Sequence, residues 1–139
     1  MSGEVMTEKQ FKLYARGIIF NSEKALLIIR KNDQQKIGPG RWMIPGGTIE
    51  HGEIPETALA RELIEEVNFH AVKLTEIGTE TRILGPTHWL GVLFLVEGDI
   101  SSVKNNEPEK HSDMKWVHYS DLANYINEKD FLILVKSLI

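Results

Sequence analysis

The 139-residue chain contains no cysteine, which excludes disulfides, thiolate zinc sites and cysteine nucleophiles. It also lacks a surplus of positive charge: 16 basic against 20 acidic side chains leave a net charge of −4. Binding to a nucleic-acid polymer is therefore not expected, because its main affinity term is phosphate neutralisation by excess Lys and Arg. No apolar run approaches the length of a membrane span. The longest, Trp89 to Val96, is less than half of the ~20 residues needed. Met1 to Gln10 has no basic segment followed by an apolar stretch, so this end reads as a flexible segment and not a secretory signal. With no thiols to oxidise, a reducing cytoplasm is the expected compartment. Repeats and low-complexity tracts are absent too. What remains, 42% hydrophobic and 26% charged residues, is ordinary for a globular protein, and the length suits a single domain over residues 1–139.

Along the chain, Phe11 to Phe20 and Ala25 to Arg30 are rich in β-branched and aromatic residues and flank the turn signal Asn21-Ser22-Glu23-Lys24, so they read as two paired strands. Asn32 to Gly40 is a polar loop, and Trp42-Met43-Ile44 is a short apolar segment stopped by Pro45-Gly46-Gly47. From Pro55 the pattern turns helical: proline suits the first helical position, Leu59, Leu63 and Val67 recur every four residues, and Asn68 offers a left-handed stop. Val72 to Ile83 and His88 to Glu97 read as strands joined through Gly85-Pro86, and Met114 to Tyr119 as another. Between them Ser101 to Asp113 is a long polar stretch, a length that usually carries function. A short helix capped by Ser120 and a second from about Glu128 to Leu138 close the chain. Strands before, between and after helices predict an α/β (α+β) layered domain, a mixed β-sheet sandwiched between helices.

The helix from Pro55 carries an unusual charge pattern. Between Gly47 and Glu66 lie Glu50, Glu53, Glu56, Glu62, Glu65 and Glu66, against the single base Arg61. At about 100° per residue Glu62, Glu65 and Glu66 share one face, opposite Leu59, Leu63 and Val67. Like charges at i,i+4 cost an isolated helix roughly 0.2–0.5 kcal/mol per pair, so crowded carboxylates work against folding unless something neutralises them. A solvated acidic face is the bland reading. A hard divalent cation is the sharper one, and oxygen ligands without histidine or thiolate point to Mg²⁺ or Mn²⁺.

The spacing in GGTIEHGEIPETALARELIEEVNF decides between the two. Gly47, Glu53, Arg61, Glu62, an aliphatic at Leu63, Glu65 and Glu66 fall at the intervals of the Nudix box. At about 6–7% background frequency per residue, six specified positions coincide by chance about once in 10⁷ starting points. The chain thus resembles MutT-like Nudix hydrolases, with Asn68 and Phe69 standing where the pattern has glycine and an aliphatic. Trp42-Met43-Ile44-Pro45-Gly46 before the box, and Glu107-Pro108-Glu109 followed by Met114-Lys115-Trp116-Val117 after it, extend the likeness over most of the chain.

The resemblance implies Mg²⁺- or Mn²⁺-assisted hydrolysis of a nucleoside diphosphate linked to another moiety, most simply a (deoxy)nucleoside triphosphate cleaved to monophosphate and pyrophosphate. Nucleotide sugars, dinucleoside polyphosphates and oxidised nucleotides are the alternatives, as is a non-catalytic nucleotide sensor. Carried over position by position, Glu62, Glu65 and Glu66 face the metal and Arg61 pairs with Glu53. Glu65 is the first choice of general base and Glu109, in the polar loop, the second. Arg30, Lys31 and Arg41 are candidate phosphate contacts, Gly46 and Gly47 shape the loop, and His88 is a candidate recognition residue. Tyr14, Trp89 and Trp116 are candidate stacking residues that read equally well as core. His51, His70, His111 and His118 show no ligand spacing. The expected partner is a small nucleotide, with no polymer and no membrane, and the chain is expected as a monomer or homodimer.

Overall fold

The computed structural model describes residues 8–34 and 38–139. The flexible N-terminal segment expected over 1–10 therefore lies, for residues 1–7, outside the described residues.

Two sheets form the centre. The first has the order β4-β1-β6-β5, built from β1 (Gln10–Ile18), β4 (Gly46–Thr48), β5 (His70–Leu84) and β6 (Thr87–Asp99). Strand β1 runs parallel to β6 and antiparallel to β4, which makes this sheet mixed. The second is antiparallel, with β2 (Ala25–Lys31) between β3 (Trp42–Met43) and β7 (His111–His118). The expected pairing of the first two strands is corrected. They enter different sheets and are linked only at their ends, by the Phe20–Leu26 bridge and the bond from Leu27 N–H to the Ile19 carbonyl. Between them Asn21 folds the turn back on itself, its side-chain oxygen accepting the N–H groups of Glu23 and Ala25.

Helices cover both sides. Helix α1 (Pro55–Val67) buries Leu59, Leu63 and Val67 completely, against Ala15, Leu27, Phe94 and Val96. On the other side α2 (Tyr119–Leu122) and α3 (Lys129–Ser137) place Leu122 and Val135 against Ile18, Leu26, Ile28 and Leu93. Each such aliphatic contributes about 1.5–3 kcal/mol on burial, which fixes α1 as a rigid bar beside the sheets. The mixed α+β sandwich expected from sequence is the one observed. Helix α2 is capped by His118, whose Nδ1 accepts from the Ser120 N–H, and not by Ser120 as its residue type suggested. No helix among the described residues is long and apolar enough to cross a membrane.

Candidate active site

The carboxylate helix meets β4 at two glycines. Gly46 donates its N–H to Glu66 Oε1 at 2.8 Å. A Cβ on Gly46 would lie 2.1 Å from the Ala15 carbonyl oxygen, and its φ of +151° is one that side chains rarely adopt. A Cβ on Gly47 would lie 2.4 Å from Glu62 Cδ. Bare backbone at both positions is what lets α1 bring its carboxylates down onto the sheet edge.

Arg61 organises the acids around it. Its Nε and Nη2 hold both oxygens of Glu53 at 3.0 and 2.9 Å, a bidentate grip, while Glu53 also accepts the Glu50 N–H at 2.8 Å. Nη1 reaches Glu62 Oε1 at 3.0 Å and, more loosely, Glu65 Oε2 at 3.4 Å. The Arg61 hydrogen bond, helped by the backbone bond to Glu50, holds the Glu53 carboxyl below the ordinary range, and Glu53 in turn pushes Arg61 up. For Glu62 the balance runs the other way: burial, reinforced by the charge of Glu66, raises its carboxyl despite Arg61. One guanidinium does not neutralise this face.

Beyond α1 the chain turns back to the same spot. Asn68 adopts the left-handed conformation (φ 54°, ψ 39°) expected of it, and the N–H of Phe69 bonds the Leu63 carbonyl to close the helix end. The side-chain amide of Asn68 also donates to the Ser102 carbonyl at 3.1 Å. Residues of the polar loop then take the last carbonyls of α1: Lys104 N–H bonds Val67, Asn106 N–H bonds Glu66, and the Asn106 amide bonds Glu65 at 3.1 Å. This docking carries Glu107 and His111 to Glu66. One donor atom from each of the three lies within 4.8 Å of the others. Glu66 is 8% and His111 4% exposed. Lys110 stands 3.2 Å from Glu107, which raises its pKa.

Glu62, Glu66, Glu107 and His111 line a cleft of about 290 Å³. Five bases, Arg16, Lys31, Arg41, Arg82 and Lys110, line the same cleft. Burial first, then the charge of Arg16, pushes both Lys31 and Arg82 down. Arg41 and Arg82 converge on Glu128, the residue that precedes α3. Tyr14 and Trp89 complete the lining, their rings 6.0 Å apart. The Tyr14 hydroxyl donates to Glu80 at 2.5 Å under the Arg16 guanidinium, 4.7 Å above its ring. Burial, followed by Glu80, moves the phenol well above the ordinary tyrosine value.

The NUDIX domain family model matches residues 11–135. The chain belongs to the Nudix family. It is thereby a nucleotide pyrophosphohydrolase. The nucleoside triphosphatase NudI of Escherichia coli is 32% identical over 119 residues, covering 77% of this chain and 82% of that protein. The MutT protein of Methanosarcina mazei Go1 shares the fold at a TM-score of 0.81 and 20% identity, over 95% of both chains. So does a MutT NUDIX hydrolase from Burkholderia pseudomallei, at 0.80 and 21%, over 94% of this chain and 99% of that one.

Within this Nudix site the residues named from sequence part into two groups. Glu62, Glu66, Gly46, Gly47, Lys31 and Arg41 line the cleft, as do Tyr14 and Trp89. Glu53 and Arg61 brace the helix behind it, and Glu65, with its side chain 49% exposed, leans toward Arg61. Arg30 lies outside the lining, paired with Asp33 at 3.5 Å and Ser112 at 3.0 Å. His88 is outside as well, its ring 5.1 Å from that of Phe11, and Trp116, half-buried, packs against the core. The loop glutamate in the cluster is Glu107; Glu109 is exposed and reaches Asn32 only through its backbone carbonyl. The group of side chains close enough to share a cation contains an imidazole, His111, beside the carboxylates Glu66 and Glu107. Arg16 and Arg82 were not singled out from sequence. Their signal was there: Lys12, Tyr14 and Arg16 alternate on β1, Glu80 and Arg82 on β5, and polar alternation on a covered sheet marks a lined cleft.

Proposed function

We propose that the protein hydrolyses a nucleoside triphosphate to the monophosphate and pyrophosphate, with Mg²⁺ or Mn²⁺ held by Glu62, Glu66 and Glu107. The observation that carries this reading is that one small cleft gathers the carboxylates Glu62, Glu66 and Glu107 together with the bases Arg16, Lys31, Arg41, Arg82 and Lys110. A divalent cation fits the residues present: Glu62 is a half-buried carboxyl whose charge is disfavoured by burial and by Glu66, so a cation there relieves both. When bound, the ion neutralises phosphate oxygens and helps orient the attacking water. The chain's own residues do the rest. Arg16, Lys31, Arg41 and Arg82 receive the polyphosphate, Tyr14 and Trp89 flank the nucleoside, and Glu53 with Arg61 keeps the helix in register. Glu65 is our choice to take the proton from water: it stands outside the cleft lining, 3.4 Å from Arg61, and would swing from that contact to reach the water. Glu107, which lines the cleft, replaces Glu109 as the loop alternative for that role.

A volume of about 290 Å³ lies at the small end of ligand pockets, which suits one nucleotide better than a dinucleoside polyphosphate. The NudI relative is a nucleoside triphosphatase, which points the same way. We also propose that the chain forms one domain and works in the cytoplasm, as a monomer or homodimer. A nucleotide panel incubated with Mg²⁺, with and without EDTA, tests the reading. Equal amounts of monophosphate and pyrophosphate, abolished by EDTA and restored by metal, are expected. Turnover that survives thorough chelation, or no pyrophosphate from any triphosphate, refutes it.

A further inference from the structure

We propose that His111 is a nitrogen ligand of the cation site, and that it makes this site favour a first-row transition ion such as Mn²⁺ over Mg²⁺. The inference rests on the metal reading above and adds a donor that the acidic helix does not contain. The ring is 4% exposed and is positioned by backbone on both sides: the His111 N–H bonds the Glu107 carbonyl at 3.0 Å, and its carbonyl accepts from the Asn105 amide at 2.7 Å. Its Nε2 stands 3.4 Å from Glu66 Oε2, and its Nδ1 is buried without a hydrogen-bond partner.

The Nε2 distance argues against a purely structural imidazole. A histidine held by a carboxylate closes to about 2.7–2.9 Å in a charge-assisted hydrogen bond, so 3.4 Å leaves the pair adjacent but unbonded. Glu66 meanwhile divides its oxygens, Oε1 to the Gly46 N–H and Oε2 toward the ring. Metal–ligand bonds of about 2.0–2.2 Å separate neighbouring or opposed donors by about 3–4.4 Å, close to the spread of 4.8 Å or less found for Glu66, Glu107 and His111. Mg²⁺ prefers oxygen ligands and sheds water reluctantly, whereas imidazole suits transition ions. One nitrogen in an otherwise carboxylate set therefore shifts the preference without excluding Mg²⁺.

The test is direct metal binding. Mn²⁺ affinity is read from the electron paramagnetic resonance signal of the free ion, and Mg²⁺ affinity by competition, for the wild-type chain, His111→Gln and Glu66→Gln. His111→Gln is expected to weaken Mn²⁺ by about tenfold or more and Mg²⁺ by less than about threefold, while Glu66→Gln weakens both. Pulsed resonance on the wild-type Mn²⁺ complex should show coupling to a histidine nitrogen, a readout that does not depend on any variant folding. An absent nitrogen coupling, or an unchanged Mn²⁺/Mg²⁺ ratio in His111→Gln, overturns the assignment while leaving the carboxylate site standing. Unchanged Mn²⁺ binding in Glu66→Gln overturns the metal reading itself.

Discussion

Gly47 and Gly46 are neighbours on one strand, yet alanine should fail at each for a different reason. At Gly47 the added methyl carbon would meet Glu62 Cδ at 2.4 Å and its two oxygens at 2.6 and 2.7 Å. Non-bonded carbons settle at about 3.5–4.0 Å, so the carboxylate must retreat by roughly 1 Å or more. What retreats is the end of a flexible side chain, at an off-rotamer cost of about 0.5–1.5 kcal/mol. For a chain of this length, about 1 kcal/mol moves Tm by roughly 3–5 °C, so Gly47→Ala should fold and melt only a few degrees early. Its catalytic effect should be far larger, because a misplacement of about 1 Å costs on the order of 10²-fold in rate. At Gly46 the obstacle is the Ala15 carbonyl at 2.1 Å, and φ is +151°. Backbone cannot swing away there without breaking the β1–β4 ladder, so Gly46→Ala should lose stability first. Thermal melts by circular dichroism and pyrophosphate release on both variants read the contrast. A Gly47→Ala enzyme within about threefold of wild type, or one as unstable as Gly46→Ala, would refute the argument that glycine is present to admit the Glu62 carboxylate.

Three further outcomes follow from the same geometry. Burial raises the Glu62 carboxyl, so its protonated form is favoured on folding; that contribution is present below the ordinary carboxylate pKa and lost as pH rises through the raised value. Glu62→Gln should thus melt at or above wild type at pH 7 without metal, and a clearly lower midpoint would count against it. Tyr14 is also raised, so stability that holds below about pH 10 should drain away above it; the midpoint difference between wild type and Tyr14→Phe should shift against wild type from pH 9 to pH 11, and a constant difference would show that the phenol is not held neutral. Asn68→Gly should cost roughly 0.5–1.5 kcal/mol for the lost amide bond to Ser102, and Asn68→Val that plus about 1–2 kcal/mol for the left-handed backbone; equal melting points for the two would show that the left-handed backbone carries no penalty.

Helix α1 was legible because its information is local. Leu59, Leu63 and Val67 mark the period, Pro55 the start and Asn68 the stop, and each acts within a turn of itself. Strand β4 was not, since Gly46-Gly47-Thr48 has no strand propensity and exists because β1 offers it a ladder. The split into two sheets has the same origin: β1 takes β6, far along the chain, in preference to the adjacent β2. In the site, Glu62 and Glu66 could be read from spacing along one helix. His111 could not, because its place depends on carbonyls of α1 accepting a loop some 40 residues later in the chain. A histidine without ligand spacing is uninformative until something else fixes its distance.

The loop's attachment to the end of α1 makes the acid cluster one cooperative unit. Lys104 and Asn106 bond the carbonyls of Val67 and Glu66, so the turn that carries one carboxylate is also the seat of the segment that carries the other. Fraying that turn would not loosen Glu66 alone; it would release Glu107 and His111 in the same event. A cluster wired in this way cannot lose the end of α1 and keep the loop in place. Its amides over Glu65–Val67 and Lys104–Asn106 should open to solvent exchange together, as one latch.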